Sequence, residues 1–327
     1  MTKYLLLFAV VMTAAVHAAG PEPKYKVPRT VDEHPDLQGV WNFSSNVSLE
    51  RPSSFADKTV YTRDEIEKRI LAKENALKIV ASIPPVCSIG IALLDHTSYV
   101  DDLRTSLITY PANGKLPALV EGVSPHTRID QVLEALADPK GGIPPELVRL
   151  LTPVKRDSYE DFSPTDRCLI SGPSAPLVPD LDANYVQIIQ SKTHVALLSD
   201  TDRRVAPLDR RPQLSAKFRT WSGDARAHWD GDTLIVETRN FNNRTRSFAG
   251  TGLSTEKSVT ERFTRRSATL LDYEATISDP KTFQDKVVIA FPMALRGGRV
   301  YENSCHEHNY SLANSLSALR KEERDTK

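Results

Sequence analysis

Gly223-Asp224-Ala225-Arg226-Ala227-His228-Trp229-Asp230-Gly231-Asp232-Thr233-Leu234-Ile235-Val236-Glu237-Thr238 decides the architecture. Two β-favouring arms flank Asp230-Gly231, a pair suited to a tight hairpin turn. Side chains on a strand alternate faces. Asp224, Arg226 and His228 therefore share one face of the first arm, and Ala225, Ala227 and Trp229 the other. An acid, a guanidinium and an imidazole in one row can bind an anion or move a proton. The same row is equally a solvated face carrying a salt bridge. The alternation sets the two faces but not which of them turns inward.

Similar short runs surround this hairpin. Tyr185–Gln190, His194–Ser199 and Arg204–Leu208 precede it; Ser258–Arg265, Leu270–Ser278, Asp285–Phe291 and Arg299–Ser304 follow. Turn chemistry at Asp279-Pro280 and Gly297-Gly298 separates the later runs. Evenly spaced short strands point to an antiparallel barrel or sandwich. Leu37–Phe43 reads as a first strand. A helix begins at Thr62, where Thr62 and Glu65 have capping-box spacing, and Pro84-Pro85 stops it. A strand-turn-strand is expected over Thr105–Tyr110 and Lys115–Leu119, with short helices at 130–137 and 145–151. A closing helix spans Leu312–Glu323, whose Leu312, Leu316 and Leu319 form a stripe for docking on the sheet. The expected organisation is a signal peptide (1–18), a leader with the first strand (19–60), a helical insertion with one hairpin (61–153), and an antiparallel barrel with a C-terminal helix (154–327). There is no repeat, P-loop, G-x-G-x-x-G or G-x-S-x-G.

Lysine plus arginine equals aspartate plus glutamate at 42 each. That balance argues against a general nucleic-acid binder, which needs a basic face. Asp202-Arg203-Arg204 and Asp209-Arg210-Arg211 set basic residues beside an acid and read as solvated turns. Lys3, the apolar run Tyr4–Val16 and the small residues of Val16-His17-Ala18 fit a secretory signal peptide cleaved before Ala19. No later stretch is apolar and long enough to span a bilayer. A periplasmic or secreted location follows, where disulfides persist. The chain has three cysteines, Cys87, Cys168 and Cys305. The odd count allows at most one internal bridge. Cys168 with Cys305 is the favoured pair, since each lies beside an ordered segment of the β-rich half. No C-x-x-C spacing suggests a metal site.

Several blocks together resemble a family of uncharacterised exported bacterial proteins. They are Leu37–Trp41, Arg104–Ile108 with Asn113–Pro117, Arg167–Leu169, Gly223–Leu234, Glu261–Thr264 and Cys305–Tyr310. The usual family pattern has glycine where Ala227 and His308 stand. Gly39-Val40-Trp41 is also similar to the G-x-W signature of lipocalins. That second resemblance implies a ligand-holding barrel, from which the helices between Thr62 and Leu151 depart as an insertion. The expected fold is thus mainly β, an antiparallel lipocalin-like barrel with a helical insertion and a C-terminal helix.

The expected function is binding of a small, largely apolar organic molecule with an oxygen function in the barrel, together with acid–base chemistry that uses no cofactor (isomerase, lyase or hydrolase). Arg226 would hold an oxygen, His228 would shuttle a proton and Asp224 would fix a partner's orientation. His306 and Glu307 join them as a polar cluster. Trp41, Arg104, Trp229 and Tyr310 are the expected ligand contacts. His306 and His308, two apart, could ligate zinc with His228 or Glu307, but no metalloenzyme spacing supports this, and no metal is expected. The competing readings are a non-catalytic carrier of the cell envelope and a partner-binding protein with a filled barrel.

Overall fold

The computed structural model describes residues 25–81, 102–123, 157–162, 167–169, 175–179, 184–199, 202–244, 248–250, 254–302, 304–307 and 309–325. The signal segment, Cys87, His308 and the helices expected at 130–137 and 145–151 lie outside them.

Ten antiparallel strands form one sheet: β1 (Gly39–Asn42), β2 (Ile108–Tyr110), β3 (Tyr185–Gln190), β4 (His194–Leu198), β5 (Arg203–Pro207), β6 (Asp224–Asp230), β7 (Thr233–Arg239), β8 (Ser258–Arg265), β9 (Leu270–Ser278) and β10 (Val287–Arg296). Nine of them run in the order β5-β4-β3-β1-β10-β9-β8-β7-β6, with β2 paired off this path to β10. β5 and β6 approach each other, so the sheet curls into a nearly closed barrel. Among the described residues two α-helices accompany it, α1 (Arg63–Ala81) and α2 (Ser311–Asp325).

Period-2 alternation fills the interior. Leu234, Val236, Val259, Phe263, Leu271, Ala275, Ile289 and Met293 point inward and are buried. Tyr273 packs edge-on against Phe263 and tilted against Phe291, with ring centroids 5.1 and 4.8 Å apart. The leader closes the barrel end that holds the β6–β7 turn. There Gln190 accepts from the Leu37 N–H at 2.6 Å and donates to the Pro35 carbonyl at 3.0 Å. Arg29 pairs with Asp232 at 2.7 Å, and His34 stacks on Trp229 at 5.0 Å.

The capping box forms as expected. Thr62 N–H donates to Glu65 Oε2 at 2.7 Å, and Glu65 N–H to Thr62 Oγ1 at 3.3 Å. Cys168 and Cys305 are disulfide-bonded. Two expected strands need correcting. Lys115–Leu119 forms no strand, because its backbone is engaged elsewhere. Leu116 N–H donates to Glu50 Oε1 at 3.0 Å, and the neighbouring Gly114 carbonyl accepts from Arg51 N–H at 2.8 Å. Arg299–Ser304 contributes no strand among its described residues; the last strand instead runs on to Arg296, where it pairs with β1. The closing helix forms as α2, with Leu312, Leu316 and Leu319 half-buried.

Candidate functional site

The hairpin of β6 and β7 turns its alanines inward. Ala225 and Ala227 are buried at 5 % and 2 % exposure, opposite Thr238 and Val236. Asp224, Arg226 and His228 therefore stand on the outer wall of the barrel, not in its interior. They do not face bulk solvent evenly, because the Arg210–Gln213 connection folds against this wall. Gln213 Nε2 donates to the carbonyls of Asp224 and Glu237 at 3.4 and 3.2 Å. The result is an open groove of about 460 Å³, within the size range of small-molecule sites. Arg210, Arg211, Pro212 and Gln213 form one side; Arg226, His228, Glu237 and Arg239 form the other.

Two of its guanidiniums are held in place. Asp224 accepts from Arg226 Nη1 at 2.5 Å and from the Leu214 N–H at 2.7 Å. Arg226 Nη1 also reaches the Ala225 carbonyl at 2.7 Å, and its Nε the Pro212 carbonyl at 3.3 Å. Nη2 makes no hydrogen bond among the described residues. Asp209 grips Arg211, whose hydrogen bonds hold the Asp209 carboxyl down at about 2. The side chains of Arg210, Arg239, His228 and Glu237 make no hydrogen bond or ion pair among the described residues. After the two internal pairs, two guanidiniums remain against one carboxylate.

The other expected site residues lie apart from this groove. His306 and Glu307 are exposed in the turn beside the disulfide. Tyr310 is exposed at the start of α2. Trp41 is fully buried, and its indole N–H donates to the Leu37 carbonyl at 2.8 Å. Trp229 is half-buried at the leader end. Arg104 is engaged by Asp102 at 2.5 Å and by the Ala290 carbonyl at 2.8 Å; it lines a second open groove with Arg262 and Arg266. In that groove Arg262 pairs with Asp230 and Arg266 with Asp272. Among the described residues no three His, Cys, Asp or Glu side chains gather as a metal-ligand set.

A polar cluster occupies the interior instead. Arg204 lies buried on β5, not in a solvated turn, and makes a two-pronged ion pair with the fully buried Glu261, one arm at 3.0 Å. Tyr273 Oη donates to Glu261 at 2.8 Å and accepts the Leu177 N–H at 2.8 Å. Burial first, and then the Glu261 charge, push the Tyr273 phenol well above its ordinary value. Burial alone would loosen the Arg204 proton, and Glu261 more than reverses that. Nearby, Lys257 lies over the Phe241 ring at 3.9 Å and 3.5 Å from the Ala175 carbonyl. Burial lowers it to about 8, against the pull of Asp279. The Arg204–Glu261–Tyr273 bonds satisfy one another and tie the 175–178 segment into the core, which is a structural role.

The chain matches no family model, no curated protein and no solved structure.

Proposed function

We propose that the protein is an exported binding protein that takes a small carboxylate-bearing organic molecule in the outer groove of β6 and β7. The carrying observation is the pair of guanidiniums, Arg210 and Arg239, that no other described residue engages, beside the braced Arg226. Guanidinium forks match carboxylates, and a braced arginine loses less freedom on binding. The faces of Pro212 and His228 offer apolar surface to the rest of the ligand. The satisfied interior network favours this wall over the barrel lumen as the binding place. The disulfide fits an oxidising compartment outside the cytoplasm. Isothermal titration at low salt with acetate, propionate and benzoate tests the reading. Binding that weakens at least tenfold in the Arg226→Gln/Arg239→Gln double variant supports it; a silent titration across all three acids and alanine refutes it.

The unengaged imidazole of His228, next in the row to the braced Arg226, favours a second reading. In it His228 exchanges a proton with the bound molecule through a ring nitrogen. His228→Ala separates the two: retained binding with lost turnover marks catalysis, and unchanged turnover removes His228 from it.

A further inference from the structure

Glu237 is out of place in a groove built only for anions. It stands directly opposite Arg226 in the β6–β7 ladder and two residues before Arg239 on the same face. With guanidiniums on both sides, it still makes no ion pair among the described residues. The cause is geometric: Arg226 is turned away by Asp224 and by the Pro212 carbonyl. Its carboxylate is thus left to the groove, where it opposes any purely anionic ligand. A charge that penalises one ligand class is a device for selecting another.

We infer that the groove selects an α-amino acid: Arg226 and Arg239 take its carboxylate, and Glu237 takes its ammonium. This rests on the carboxylate-binding reading above. Glu237 and Arg239 stand two residues apart on one face of β7, about 7 Å along the strand, and both line the groove. That suits a ligand whose two opposite charges are separated by a single carbon, and disfavours a long ω-amino acid. The ammonium, a three-donor group with no acceptor, has Glu237 as the one unengaged carboxylate among the described groove residues.

The test uses the full chain and four matched small molecules: propionate, lactate, alanine and ethylamine, titrated calorimetrically. Alanine is expected to bind at least tenfold more tightly than propionate or lactate, with ethylamine weakest. Glu237→Gln is expected to tighten propionate, weaken alanine and so remove the preference; an unchanged melting curve shows that the variant is folded. Propionate binding with no gain for alanine overturns this inference and leaves the carboxylate reading standing. A preference for alanine that survives Glu237→Gln overturns the role of Glu237. No binding by either propionate or alanine overturns both readings.

Discussion

Arg204 and Glu261 meet inside the barrel as a two-pronged ion pair between strands β5 and β8. Neither side chain has access to water that could compensate for loss of the other. Breaking a buried pair by removing one partner costs about 3–5 kcal/mol. Glu261→Leu alone should lose that much in urea denaturation. Arg204→Met/Glu261→Leu should recover most of it, because no uncompensated charge remains. Equal losses in the single and double variants would show that the two side chains are not coupled.

Lys257 makes a pH prediction with a definite sign. Its folded value, about 8, lies below the ordinary 10.5. Between those values the unfolded chain keeps a proton that the folded barrel has released. Stability from this group therefore climbs as pH rises through that window, by up to about 3 kcal/mol, and the full penalty applies below it. Tyr273, raised above 10, acts oppositely only at higher pH. Denaturation midpoints between pH 8 and 10 should rise in the native protein and stay flatter in Lys257→Met.

Gly223 couples backbone geometry to the groove. Its φ is +76°, and an added Cβ would stand 2.6 Å from Thr238 Cγ2 and 2.7 Å from the Arg239 carbonyl. Gly223→Ala should cost more than about 1 kcal/mol and shift Arg239. Calorimetry on the folded variant should show weaker carboxylate binding together with a lower melting temperature.

The groove is open, so its charges are screened by salt. Raising the ionic strength from about 0.01 to 0.15 M shortens the screening length from about 30 to 8 Å. Carboxylate affinity should fall over that range. Constant affinity would point to apolar contacts as the main source of binding.

The Cys168–Cys305 bridge closes a loop with a sequence separation of 137. Loop entropy gives an upper value of about 5 kcal/mol for such a cross-link. Reduction, or Cys168→Ser/Cys305→Ser, should lower the melting temperature and leave the β-sheet circular dichroism signal in place.

Strand periodicity makes most of the barrel legible in the sequence. β3, β8 and β9 occupy the expected residues, and the hairpin of β6 and β7 turns at Asp230-Gly231 as its chemistry requires. Which face of β6 points inward was not legible, because alanines beside charged residues define two faces without ranking them. The groove partners Arg210 and Glu237 were not legible either, since the fold of the 210–213 connection brings them together. Glu261 did carry a signal. It shares the period-2 face of Val259 and Phe263, so an acid on an otherwise apolar face marks a buried charge. Arg204 is masked by its acidic neighbour Asp202, which makes the triplet look like a surface turn. The lost strand at 115–119 shows the limit of a good turn signal: Asn113-Gly114 bends the chain, but Glu50 and Arg51 take the backbone groups a partner strand would have used.

The position of β1 has a consequence for biogenesis. This strand, near the start of the chain, hydrogen-bonds to β10, near its end, as well as to β3. Until β10 has been synthesised, β1 can keep only one of its two neighbours, and the cylinder cannot be sealed. Long-range pairing of this kind slows folding and leaves strand edges open to aggregation. Closure of the cylinder is therefore a late event that needs both ends of the β-forming chain at once.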